Sequence, residues 1–202
     1  MISQQCQQLP LTAYSPVDVS DVLRTLSQSP NKHCVLDPIP TWLVKALKLT
    51  MPRIFVKLVN SSITTGIFPS SEKHAITTPV IKKTGSDITQ LSNYCPISNL
   101  SFISKFIERM IASQLTSCLE TNSLLPKAQS AYKRRHSPET ALLGIRNDAL
   151  IAADKGMVTL VVLLDYSAAF DTVDQELMLQ VLETKYGVSD SALTWAWFGT
   201  GL

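Results

Sequence analysis

The run MVTLVVLL, from Met157 to Leu164, delivers its chain straight into Asp165, and YSAAFDTVD follows through Asp174. A short, nearly unbroken apolar run rich in β-branched residues predicts a strand covered on its faces. An acidic residue at the carboxyl end of such a strand is held rigidly where a divalent cation can reach it. Phosphoryl-transfer chemistry is commonly built on that arrangement.

The 202 residues suffice for one globular domain with a real core, or for part of a larger one. A hydrophobic fraction of 45% against 17% charged residues belongs to a folded chain rather than a disordered one. The formal net charge of +2 points to no particular partner, because electrostatic nucleic-acid binding needs cations gathered on one face. Cys6, Cys34, Cys95 and Cys118 are widely separated, with no C-x-x-C pair and no histidine at ligand spacing. Neither a zinc site nor a disulfide framework is expected. The start, MISQQCQQLPLTAY, has neither a basic leader nor an apolar signal core, and no run approaches the ~20 apolar residues that cross a bilayer. The expectation is a soluble intracellular protein of cytoplasm or nucleus, with no membrane partner. The 7 glycines form no G-x-G-x-x-G or P-loop pattern, which removes the main support for those nucleotide folds.

Ser15 as N-cap, Pro16 in the first turn and Asp18 at the third position predict a helix through Val19, Val22, Leu23 and Leu26 to about Ser27. The turn-rich SPNKHCVLDPIP is a loop that leads to the stretch from Thr41 to Leu47. Pro52 opens another helix, with Phe55, Leu58, Val59, Ser62 and Ile63 on one face and Gly66 as its stop. HAITTPVIKK reads as a strand that Pro79 confines to an edge, followed by a loop through Gly85 and Asn93. From Ser101 onward, Phe102, Phe106, Ile107, Met110, Ile111, Leu115, Cys118 and Leu119 keep a period of 3.6, the mark of a core-facing helix. KAQSAYKRRH is a basic loop. Ser137 and Pro138 begin the helix after it, which Gly156 ends. Asp174 heads a helix closed by Gly187, and Ser189 begins a last short one running into WAWFGTGL.

Two readings of Asp165 compete. An aspartate after a strand is in most chains a helix cap or turn residue, and Asp174, ahead of an apolar helix, suits that role. Asp165 suits it less, because Ala168, Ala169 and Phe170 do not open an amphipathic helix. As one rigid carboxylate it would supply part of a magnesium site, which also needs another carboxylate or phosphate oxygens.

The string LLDYSAAFDTVD closely resembles the first catalytic motif of reverse transcriptases from LINE-like, non-LTR retrotransposons. LDPIPTWLVK, NSSITTGIFPSSEKHAITTPVIKK, NYCPISNLSFISKFIERMI and LLPKAQSAYKRRHSPETALL resemble the fingers and early palm of that family, in the same order. The likeness covers roughly Val17 to Trp195. It implies an α+β fold of right-hand polymerase type: helix-rich fingers and an incomplete palm with a small antiparallel sheet. The implied layout is a tail over residues 1–15 and a reverse transcriptase domain over 16–202. By the same resemblance, Asp165 and the backbone carbonyl of Tyr166 bind Mg²⁺ or Mn²⁺, and Phe170 lies under the sugar and rejects a ribose 2′-hydroxyl. Lys82 and Lys83 approach the incoming deoxynucleotide triphosphate, and Lys133, Arg134 and Arg135, beside Tyr132 and His136, face the phosphates of RNA template or DNA primer. The residues alone leave both basic groups open to a plainer reading, a solvated pair beside an edge strand and an exposed basic loop.

The chain departs from the family where Cys95 replaces an arginine that touches the nucleotide, where Val35 replaces a glycine and where Gln175 replaces a histidine. It also stops before the family's template-grip segment and its Tyr/Phe-x-Asp-Asp hairpin. The expectation is therefore a polymerase fragment, inactive as this chain alone, or else a silent remnant that still binds nucleic acid. An unrelated phosphotransfer α/β domain is the third reading, and it lacks the alternating β-α pattern it would need.

Overall fold

The computed structural model describes residues 10–32, 34–166 and 172–200. Among them the order is α1 (Val19–Gln28), α2 (Thr41–Ala46), α3 (Met51–Thr65), β1 (Ala75–Ile81), β2 (Tyr94–Leu100), α4 (Phe102–Thr121), α5 (Pro138–Asp154), α6 (Gln175–Tyr186) and α7 (Asp190–Thr200). The helix-rich chain with one small antiparallel sheet is compatible with the expected α+β class. It divides into two compact units: Met1–Asn122 with Gln175–Leu202, and Ser123–Asp174.

The core of the first unit is built where the 3.6-residue period said it would be. Phe55, Val59 and Ile63 of α3 and Phe106, Ile107, Met110 and Ile111 of α4 are buried. Phe55 meets Phe106 edge-on with ring centroids 4.6 Å apart, a geometry that suits the ring quadrupoles. Burial of each such side chain contributes about 1.5–3 kcal/mol. Trp195 of α7 packs edge-on against Tyr14 and Phe68 and donates its indole N–H to Ser62 Oγ at 2.9 Å. Gly66 ends α3 at φ +67°, in the left-handed region that a side chain disfavours.

Asp18, rather than Ser15, caps α1. Its carboxylate accepts from Asp21 N at 2.8 Å while Asp21 Oδ2 accepts from Asp18 N, a reciprocal capping box. Residues 15–17 stay outside α1, where two side-chain amides hold their backbone as a neighbouring strand would. Ser15 N and O pair with Gln114, and Val17 N and O pair with Asn60. Just upstream, Leu11 bridges to Val188 in parallel.

β2 falls in a stretch, between the loop through Asn93 and the helix from Ser101, to which the sequence reading gave no element. Tyr94–Leu100 pairs antiparallel with β1, and the two prolines stand opposite each other, Pro79 against Pro96. Neither can donate a ladder hydrogen bond, so their pairing concentrates the defect at one rung.

The run Met157–Leu164 corrects the central expectation of a buried strand. Residues 157–166 belong to no helix or strand, and their side chains lie in solvent, with Val158 98% and Leu164 87% exposed. A strand exists only through a ladder partner, and among the described residues none lies beside this segment. α5 shares the condition. Its start is as expected, with Ser137 as N-cap and Pro138 in the first turn, yet none of its residues is buried.

Candidate nucleic-acid and nucleotide site

Asp165 stands at the end of that unpaired run, exposed, and among the described residues no hydrogen bond or ion pair holds its carboxylate. Its oxygens are open to a cation, but no strand fixes them. Tyr166 is exposed next to it. Phe170 lies outside the described residues.

Lys82 follows β1 directly and has work of its own. Its Nζ donates to Ser92 O at 2.8 Å and its backbone N to Asn93 O at 2.8 Å, so this ammonium ties the two ends of the loop that closes the hairpin. Lys83 has no such tie, and its carbonyl accepts from Ser86 N in the turn. The role of Ser92 and Asn93 escaped sequence reasoning, although the Asn-containing turn before the next strand was visible as a signal. In the same loop Asp87 accepts from Thr89 N and Thr89 Oγ1, and those bonds, the backbone one first, lower its pKa. Cys95, in register with Val80, is an exposed free thiol on β2.

Lys133, Arg134 and Arg135 are brought together on one turn-rich loop. Local bonds shape it: His136 N donates to Lys133 O at 3.2 Å, and His136 Nδ1 lies 3.0 Å from Arg134 O. Arg134 and Arg135 are exposed and Lys133 half-buried. Tyr132 and Arg135 take φ of 57° and 62°, a strained backbone for residues with side chains. The loop ends on Ser137, whose Oγ accepts from Thr140 N at 3.3 Å while Thr140 Oγ1 accepts from Ser137 N at 2.9 Å. Three cations thus precede the positive end of the α5 dipole. Such a neighbourhood repels itself until an anion arrives. Glu139 in the first turn relieves part of that field, its pKa lowered chiefly by the Ser137 side-chain hydrogen bond.

The chain is 28% identical over 167 residues to the RNA-directed DNA polymerase from mobile element jockey of Drosophila melanogaster, a match covering 82% of this chain and 18% of that protein. It is 30% identical over 165 residues to the probable RNA-directed DNA polymerase from transposon X-element of the same fly, with the same coverage. The probable polymerase from transposon BS matches at 27% over 78% of the chain. The chain is a homologue of one stretch of these mobile-element polymerases. The resemblance to reverse transcriptases of non-LTR retrotransposons is thereby borne out. The chain spans less than one fifth of the length of these RNA-directed DNA polymerases. No family model matches it. Among the described residues no helix is long and apolar enough to cross a membrane.

Proposed function

We propose that the chain is the fingers and early palm of a non-LTR retroelement reverse transcriptase, a part that engages template, primer and nucleotide and does not synthesise DNA alone. The likeness to RNA-directed DNA polymerases over about four fifths of its residues carries this reading. Lys133, Arg134 and Arg135, gathered ahead of the α5 N-terminus, serve as the phosphate-facing element for RNA template or DNA primer. Lys83 faces the triphosphate of a deoxynucleotide, and Lys82 positions it by fixing the hairpin loop. Phe170 is assigned to the sugar from its place in the motif.

The open carboxylate of Asp165 fits one ligand position of Mg²⁺ or Mn²⁺, with the Tyr166 carbonyl as a second oxygen. Among the described residues no group of three or more His, Cys, Asp or Glu is placed to hold an ion, so the remaining ligands would be water, phosphate and other parts of a polymerase. When bound, such a cation would polarise phosphoryl oxygens. What this chain contributes is one carboxylate, a sugar gate and phosphate-binding cations.

Reversing the charge at Lys133, Arg134 and Arg135 should weaken binding of an RNA–DNA duplex at least tenfold and flatten its salt dependence, measured by fluorescence anisotropy. Unchanged affinity would remove the basic loop from the proposal. Primer extension with Mg²⁺ or Mn²⁺ should show no incorporation by this chain, and incorporation that disappears in Asp165→Ala would overturn the claim that it is inactive alone.

A further inference from the structure

Phe102, Lys105, Phe106 and Arg109 of α4 recur at i, i+3, i+4 and i+7, so aromatic rings and cations share one helix face. That face lines a cavity of about 300 Å³, closed from the hairpin side by Ile76 and from the loop before α2 by Lys32. The size sits at the lower end of small-molecule sites. Its charge is mainly positive. Among the described residues Lys32, Lys105 and Arg109 form no close ion pair, although Lys105 lies near enough to Glu108 to attract its carboxylate, and Arg109 is held in place by donating to Ser29 Oγ at 2.8 Å. The lining carboxylate, Asp37, is already committed: Oδ1 accepts from Phe102 N and Oδ2 from Cys34 N. Those bonds hold its negative charge in place, so the lining sets three cations against one carboxylate, beside an apolar wall. Stacking Lys105 and Arg109 one turn apart is itself mildly unfavourable, a repulsion that an anion between them would reverse.

We propose that this cavity binds a small organic anion with a flat apolar body, in chemical terms an aryl phosphate or aryl carboxylate. The ring lies against Phe102, Phe106 and Ile76, and the anionic head is taken by Arg109 and Lys105, with Lys32 closing over it. The apolar wall distinguishes this site from a bare phosphate site, and the cations distinguish it from a greasy hole. It stands independently of the polymerase reading, because every lining residue belongs to the first unit and none is a residue assigned there.

The test is an NMR titration of the full chain with phenyl phosphate, inorganic phosphate and benzyl alcohol. Phenyl phosphate should shift the amides of Ile76, Phe102 and Phe106 saturably and bind more tightly than either partial probe. Lys105→Gln with Arg109→Gln, both on exposed side chains, should weaken phenyl phosphate at least tenfold and leave benzyl alcohol unchanged. Ile76→Trp, which fills the cavity from the hairpin, should abolish the shifts from all three and decides the matter if the double variant fails to fold. Equal affinity for phenyl phosphate and benzyl alcohol, insensitivity to both variants, or shifts confined to Val158–Leu164 would overturn the proposal.

Discussion

Met110 and Leu150 both occupy helices whose apolar residues recur every three or four positions, yet Met110 is 4% exposed and Leu150 54%. α4 finds α1 and the rest of the first unit to cover its stripe, whereas no residue of α5 is buried and the run after it is exposed. Periodicity specifies a face that can be buried and leaves open what buries it. In the first unit local pattern and packing agree, and in the second the apolar pattern stays exposed.

The sharpest way to break this contrast is to cut the same amount of side chain from each unit. Phe106→Ala, which removes a ring packed on Phe55 and Phe102, should destabilise the protein by about 3–5 kcal/mol in urea unfolding. Leu150→Ala should change it by less than about 0.5 kcal/mol. Comparable losses would mean that the second unit has a core of its own. A smaller effect uses pH. Burial, aided by Cys118, pushes the Tyr14 phenol from 10.0 up to about 12. The folded state therefore favours the neutral form, so this stability is complete below pH 10 and is lost as pH rises from about 10 to about 12, on the order of 2 kcal/mol. Tyr14→Phe should abolish that slope, and a slope that persists would place its origin elsewhere. Smallest is the cap: Asp18→Ala should lower the thermal midpoint slightly, and no change would show that Asn60 and Gln114 alone hold the start of α1.

The same contrast explains what the sequence made legible. The spans of α3 and α4, the Gly66 stop and the Ser137 cap follow from spacing and capping chemistry, which are local, and all were readable. The start of α1 was misplaced because Asn60, 43 residues downstream of Val17, holds the backbone before Asp18 outside the helix. β2 was missed because Pro96 and the polar residues around it hide the alternation, and only its pairing with β1 makes it a strand. Met157–Leu164 was read as a strand from its composition, whereas a strand is defined by a neighbour. The site divides along the same line. Asp165 and the basic loop are proposed from motif likeness, which needs no partner. The aromatic and cationic spacing in FISKFIER was equally visible, but its meaning waited on Asp37 and Ile76 arriving from elsewhere in the chain.

The first unit is discontinuous: the chain leaves it after Asn122 and returns at Gln175. Trp195 and Val188, from beyond the return, complete the core with Tyr14 and Phe68 from before the departure. A protease cutting within Ser123–Asp174 would therefore sever the polypeptide without separating its halves. The two fragments would stay associated through shared side-chain packing, migrating as one species under native conditions and as two in denaturant.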